Sequence, residues 1–518
     1  MVLSTGINGQ CRFLRNMRID VLAVIVLLGT VSANADWPTF RGNRHRTAFV
    51  NESLGLPADS TEWIVRLSAP VSSSPSVSNG VVYTGCHDSM FYALNCSTGQ
   101  AQWSKKTDGL LLSSPLVVGD TVVVPCSGGR IYFFDAHQAD TLKTLPGASQ
   151  LLSSPGISDG GDLMIGMGTL NRFSVLPHMD GALEWSLYLT QACHSSAASS
   201  GNRAIIAASD KSVYCLDLES PRVIWHANVQ GDPYMSTPAI ANSTVFFASG
   251  DTGGSVYAMN LADGSVQWRS TANTALSKPA VGTHAFSSPA VARYTSSVAV
   301  DSHSVYVVFH DVSDTGVTDA CFSLVCLDVR DGSERWRFTE DAPRGKEAFN
   351  SSPAVTNDYV FFGWSGGKAY ALGTHTGSKQ WEDVLQGGII ASPAIAGNRL
   401  YFATMEGYMY CYALTETPGG IDFRQSTFCY PNPAPGQSRR MVSKIQVYAP
   451  RAAAMEMTIY NTADKPVARV SRSMGADEKY THEWDISRVS NGVYFARIRV
   501  KYREGGEERK TVKIAILK

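Results

Sequence analysis

Between Trp37 and Leu414 the apolar positions fall in short runs split by Gly, Asn and Asp. That grammar is one of brief β-strands joined by tight turns. One unit shows it in full. Ser73-Ser74-Pro75-Ser76-Val77 leads into Asn79-Gly80, a hairpin signal. Val81–Gly85 forms a second strand and Phe91–Asn95 a third. Ser97-Thr98-Gly99 turns the chain, and Gln102-Trp103 opens a fourth strand. The Ser/Thr-Pro anchor recurs at Pro115, Pro155, Pro238, Pro289, Pro353 and Pro393, with a degenerate copy at Ser195-Ser196-Ala197. Successive spacings are 40, 40, 42, 41, 51, 64 and 40 residues. A period near 40 is that of a four-stranded propeller blade.

The last unit lacks its fourth strand. Thr61–Leu67, which precedes the first anchor, carries the missing pattern with Trp63 in the same slot as Trp103, Trp185, Trp225, Trp268, Trp336 and Trp381. Pairing it with the last unit predicts eight complete blades and a ring without a free edge. The tryptophans are expected to pack between blades, because aromatic rings dominate core burial. The alternating stretches around Ile445–Tyr448, Met457–Tyr460, Pro466–Val470, Val493–Ile498 and Thr511–Ile516 predict a second module. The fold class is thus all-β: an eight-bladed β-propeller over 36–417, a linker over 418–428, and a small Ig-like β-sandwich over 429–518.

Charge separates the two modules. The 518-residue chain has a formal net charge of -1, which gives no support to nucleic-acid binding. From Cys429 to Lys518, however, 17 Lys and Arg stand against 9 Asp and Glu. A basic tail therefore follows an acidic body. At the N-terminus Arg12, Arg15 and Arg18 precede the apolar run Val21–Leu28, followed by Ala33-Asn34-Ala35. These are the features of a signal peptide over 1–35, cleaved after Ala35. The run is too short to span a bilayer, so no transmembrane span is expected after cleavage. Cys11 belongs to the leader, and the remaining nine of ten cysteines are an odd number. Cys215, Cys326 and Cys411 share one repeat position, which reads as a core thiol. A Cys86–Cys126 disulfide would have to cross adjacent sheets ~10 Å apart, beyond the usual reach.

Trp37-Pro38-Thr39-Phe40-Arg41-Gly42-Asn43, the Ser-Ser-Pro anchors and the Val-Tyr-x-Gly, Tyr-Ala-Leu-Asn, Thr-Gly and Trp elements resemble the PQQ-like β-propeller repeat family. That family includes quinoprotein dehydrogenases and the lipoprotein propeller of the outer-membrane barrel-assembly machinery. Tyr430-Pro431-Asn432-Pro433, Trp484-Asp485, Asn491-Gly492-Val493-Tyr494-Phe495 and the end Ile516-Leu517-Lys518 resemble the C-terminal sorting domain of type IX secretion cargo. This second resemblance implies passage across an outer membrane, secretion machinery as a partner, and a secreted or surface-attached product, with the periplasm as the alternative.

The extra length of the chain points to one face. In an antiparallel blade with strands A to D, the D–A and B–C connections share an end. The long connections Arg269–Ser287, His310–Cys321 and Arg337–Ser351 all fall there. Loops on a rigid scaffold carry binding. His284, Phe286, His310, Asp311, Asp314, Arg344, Lys346 and Phe349 are therefore the candidate ligand-binding residues, the competing reading being solvated insertions. The positions three before each anchor are Ser72, Leu112, Leu152, His194, Met235, Phe286, Asn350 and Ile390. They offer no cluster of cations for PQQ, a polyanion, and no set of Ca²⁺ ligands. No catalytic residue, metal or cofactor is assigned. The expected role is a binding scaffold for protein or glycan at the cell surface. The alternatives are an outer-membrane protein assembly scaffold and a PQQ-dependent dehydrogenase.

Overall fold

The structure, a computed structural model, describes residues 36–149, 151–167, 170–176, 185–220, 222–233, 236–250, 254–271, 291–312, 321–341, 351–416, 428–430, 434–435, 442–448, 452–474, 479–502 and 507–517. It is an all-β protein. Among the described residues there are eight antiparallel, propeller-like sheets, seven of them built from strands consecutive in sequence, and two further sheets form the tail. The first sheet comprises Ser76–Ser78, Val81–Gly85, Met90–Asn95 and Ala101–Lys106. Its second strand is buried at every position, whereas the fourth alternates exposed and half-buried residues along its length. The second strand is therefore apolar but for Thr84, while the fourth keeps its charges.

The closing strand lies where its pattern predicts. Trp63–Arg66 pairs with Tyr408–Glu416 in the register Trp63↔Cys411 to Arg66↔Tyr408. Leu54–Pro57 adds to the far end of the same strand, a pairing the repeat pattern does not predict.

A ring of hydrogen bonds links the eight sheets. The backbone N–H of Ser74 donates to Ser114 Oγ, Ser114 to Ser154, Ser154 to Ser196, and Ser196 to Thr237 Oγ1. Thr237 donates to Ser297, Ser297 to Ser352, Ser352 to Ser392, and Ser392 back to Ser74. All eight bonds are 2.8–3.1 Å long. This ring corrects one anchor. Ser297, not Ser288, holds the sixth position. The hairpin Ala299↔Tyr306, Val300↔Val305 sets that register, and Thr295 rather than Phe286 then stands three before the anchor.

The tryptophans join neighbouring sheets, as their repeat slot predicts. The Nε1 groups of Trp63, Trp103, Trp225, Trp268 and Trp336 donate to the carbonyls of Cys96, Ala136, Leu261, Val329 and Thr374, at 2.8–3.0 Å. Each acceptor lies in the turn before the next sheet's fourth strand. Four of these five turns place a glycine against the ring, and the turn of Ala136 has Ala139 there with φ +61°. At Gly332, with φ +68°, a Cβ would stand 2.5 Å from the Trp268 ring, and at Gly377 it would stand 2.3 Å from Trp336.

The sixth sheet departs from its repeat. Its second and third strands, Ser304–Val312 and Cys321–Asp328, run further than the apolar pattern suggests. His310 pairs with Phe322 and Asp311 with Cys321, so the expected loop His310–Cys321 contracts to 313–320. An added strand, Val291–Thr295, pairs with the extension. The polar His310 and Asp311 predict the end of the strand, but a backbone ladder needs no apolar side chains to keep its bonds.

The tail consists of a three-stranded sheet and a five-stranded sheet over one core that includes Ile445, Val447, Met457, Ile459, Trp484, Ile498 and Ile514. Strand Val442–Tyr448 of the tail meets the body through Lys444, whose Nζ lies 2.5 Å from Asp331 and 3.8 Å from Asp328. Arg330 and Arg335 also pair with Asp328, at 3.0 and 3.1 Å. Burial alone would raise the Asp328 pKa. The hydrogen bond from Arg330 and the charges of Arg335 and Lys444 outweigh it and hold the carboxyl well below its ordinary range.

Candidate functional site

Repeated backbone bonds define two ends of the axis. At one end, B–C and D–A connections meet: His87 N–H donates to Pro70 O, Leu111 to Cys86, Ser127 to Leu110, Ser209 to Ala192 and Met405 to Gly388. At the other, C–D turns meet A–B turns: Cys96 N–H donates to Gly80 O, Ala136 to Asp120, Leu261 to Ser243, Val329 to His303 and Thr374 to Asp358.

The sequence assigns the predicted contacts to connections of the first kind. His284, Phe286, Asp314, Arg344, Lys346 and Phe349 lie outside the described residues. His310 and Asp311 are placed by their backbone, in the ladder opposite Phe322 and Cys321. The mouth positions with described side chains are Ser72, Leu112, Leu152, His194 and Ile390. Leu152 is 39% exposed. Ser72 Oγ is hydrogen-bonded to His87 Nε2 at 2.7 Å. The turn after Gly85 brings this pair together, and neighbouring sequence gives no hint of it. Burial lowers the pKa of His87 against the opposing charge of Asp88, and burial lowers that of His194. Both imidazoles are therefore neutral at pH 7. The described mouth thus presents three aliphatic side chains, a hydroxyl and neutral rings. These donors do not match a polyanionic quinone, which needs cations beside its carboxylates, or Ca²⁺, which needs a shell of oxygens.

Six of the described thiols are core groups. Cys86, Cys126, Cys193, Cys215, Cys326 and Cys411 are free and buried. Cys86 Sγ donates to Ala69 O, and Cys126 Sγ to an Asp108 carboxylate oxygen. Burial pushes the Cys193 thiol up to about 12 and Cys215 up to about 11, which suppresses thiolate chemistry at neutral pH.

The second end is closed by residues 37–50. This segment bonds in turn to the inner strands of six sheets. Trp37 exchanges backbone bonds with Val77, and Val117 N–H donates to Pro38 O. Ser199 donates to Arg44 O, Ile240 to His45, Val300 to Thr47 and Val355 to Ala48. Each of those donors stands two residues after its anchor. Left-handed backbone at Arg41, Gly42, Arg46 and Ala48 winds the segment into the circle. Arg41 and Arg46 turn inward and are fully enclosed, at 2% and 0% exposure. Arg46 donates to Ala197 O, Pro155 O, Phe40 O and Thr39 Oγ1 at 2.5–2.9 Å. Arg41 reaches the carbonyls of Val298, Pro353 and Arg46. Sequence reasoning missed both roles, because Arg41-Gly42-Asn43-Arg44-His45-Arg46 reads as a solvated basic turn. The equal treatment of carbonyls from several repeats is visible only once the ring has formed.

The sorting-domain motifs and the repeats agree with comparisons to known proteins. The family described as outer membrane protein assembly factor BamB matches residues 57–151, 167–415 and 321–464. The secretion system C-terminal sorting domain matches 429–515. A tetrathionate hydrolase of Acidithiobacillus ferrooxidans is 26% identical over 198 residues, 38% of this chain and 36% of the hydrolase. The chain thus spans little more than a third of that relative. An outer membrane protein assembly factor BamB of Moranella endobia is 19% identical over 363 residues, 65% of this chain and 84% of its own length. Among solved structures, the quinohemoprotein alcohol dehydrogenase of Comamonas testosteroni shares the fold at TM-score 0.56 and 13% identity, covering 75% of this chain and 82% of that one. A europium-containing methanol dehydrogenase does so at TM-score 0.59 and 11% identity, covering 73% and 98%. The chain belongs to the family described as outer membrane protein assembly factor BamB, and it ends in a secretion system C-terminal sorting domain that marks it for export to the cell surface or beyond.

Proposed function

We propose that this protein is an exported, non-enzymatic binding scaffold that takes protein or glycan at the cell surface. In this reading the eight sheets are the blades of one closed propeller over 36–417. Residues 1–35 are its signal peptide, 418–428 a linker, and 429–518 an Ig-like module addressed to the secretion machinery. One observation carries the binding role. The two longest D–A connections and the longest B–C connection leave from strand ends at Thr271, Asp341 and Val312, all at the end of the axis opposite the closing segment. An aliphatic, neutral mouth beside them suits protein or glycan contact, where apolar anchors supply much of the affinity. His284, Phe286, His310, Asp311, Asp314, Arg344, Lys346 and Phe349 remain the proposed contacts.

The test uses the mature full-length protein. Saturable binding to the producing cells is expected, and exchanging 313–320 for a Gly/Ser linker should abolish it while leaving Tm within about 1 °C. In parallel, PQQ with Ca²⁺ should give no stoichiometric uptake and no dye reduction. Tight uptake with turnover of an alcohol would overturn the scaffold reading in favour of the dehydrogenase.

The family match favours a second reading, in which the scaffold assists outer-membrane protein assembly. The two differ in location. Surface protease should reach the protein in the first case. A purely periplasmic pool with an intact tail supports the second.

A further inference from the structure

The axis carries two buried cations and no matching anion among the described residues. Arg41 and Arg46 form no ion pair, and their company is backbone carbonyls from the third, fourth, sixth and seventh sheets. Burial lowers both pKa values to about 9, and the charge of Arg46 adds to the effect at Arg41. Both guanidiniums therefore stay protonated at neutral pH. Two like charges withdrawn from water are strongly unfavourable unless something opposes them. Carbonyl dipoles oppose them in part. Arg46 has every nitrogen engaged. Arg41 does not: its Nε and Nη2 donate to carbonyls, whereas its Nη1 is buried with no hydrogen-bond partner. A guanidinium nitrogen carries two N–H donors, and leaving them unmade in the interior is costly.

We propose that Arg41 Nη1 binds a small monovalent anion of the halide class on the propeller axis, as counter-ion to the Arg41–Arg46 pair. The chemistry of the surroundings selects that class. The hydroxyls of Ser74, Ser352 and Ser392 accept bonds from backbone N–H groups and stay neutral, so Arg41 Nη1 is the cationic donor left to attract an anion. Trp37, Ala48 and Val50 of the same segment are buried at 1–7% exposure, and so enclosed an apolar setting favours a monatomic ion over a bulkier carboxylate. A halide there balances one of the two charges and satisfies the orphan donor, and it makes the closing segment an ion-dependent lock. The site lies at the opposite end of the axis from the loop-bearing mouth, so it stands whatever that mouth binds.

Crystals of the mature full-length protein grown in sodium bromide give the decisive reading. Anomalous diffraction at the bromine edge should place a peak within hydrogen-bonding reach of Arg41 Nη1. In solution, replacing gluconate by chloride at constant ionic strength should raise Tm saturably by roughly 2–4 °C. Arg41→Gln should lose both the peak and the halide dependence. If that variant does not fold, the bromide experiment on the unmodified protein still decides. A water molecule in place of bromide, or a Tm that does not distinguish chloride from gluconate, would overturn the assignment.

Discussion

The two ends of the axis are built from the same repeat and finished in opposite ways. At the closed end, residues 37–50 satisfy the inner strands of six sheets and bury two arginines. The tail meets the same end, where Lys444 reaches the turn that begins at Asp328. At the open end the repeat supplies recurring backbone bonds between connections, and its side chains vary from Ser72 to Leu152 to His194. A ring of repeats needs one end to hold it shut. The other is then released to carry whatever side chains recognition demands.

The largest effect that could break this contrast lies at Arg46. Arg46→Met strands four acceptors that it now serves, and should destabilise the protein by on the order of 5 kcal/mol in chemical unfolding. A loss below ~1 kcal/mol would mean that the closing segment is ornamental. Asp328→Asn comes next. It leaves Arg335 and Lys444 beside a neutral amide, with an expected loss of about 3 kcal/mol. The pH dependence has a definite sign. The Asp328 pKa is depressed in the folded state, so its contribution is complete above the ordinary carboxylate pKa near 4. It disappears as pH falls from there through the folded value. An acid-unfolding midpoint identical in the wild type and Asp328→Asn would contradict the pairing. Trp336→Phe removes the bond to Thr374 O and should cost about 1–2 kcal/mol.

Ser297→Ala is expected to lose about 1 kcal/mol, and Ser288→Ala almost nothing. The reverse order would restore the anchor that the Ser-Ser-Pro pattern suggests. That anchor shows what a sequence can and cannot disclose. The 40-residue period, the Trp slot and the closing role of Trp63 were readable because each depends on local spacing and on burial common to all repeats. Ser287-Ser288-Pro289 looked like its siblings, yet the pairing of Val300 with Val305 decides the register, and no local motif encodes it. Arg41 and Arg46 were unreadable for a related reason: a charged residue predicts exposure unless carbonyls from distant repeats converge on it. The proposed contacts from His284 to Phe349 were inferred from surplus length alone, which locates an end of the molecule and not an arrangement of side chains.

Photo-crosslinking compares the ends directly. A crosslinking residue placed at Leu152, on the open mouth, should capture a surface protein or glycan when the mature protein is returned to its cells, and one placed at Arg44, on the closing segment, should capture none. Capture from Arg44 with silence at Leu152 would contradict the assignment of recognition to the open end.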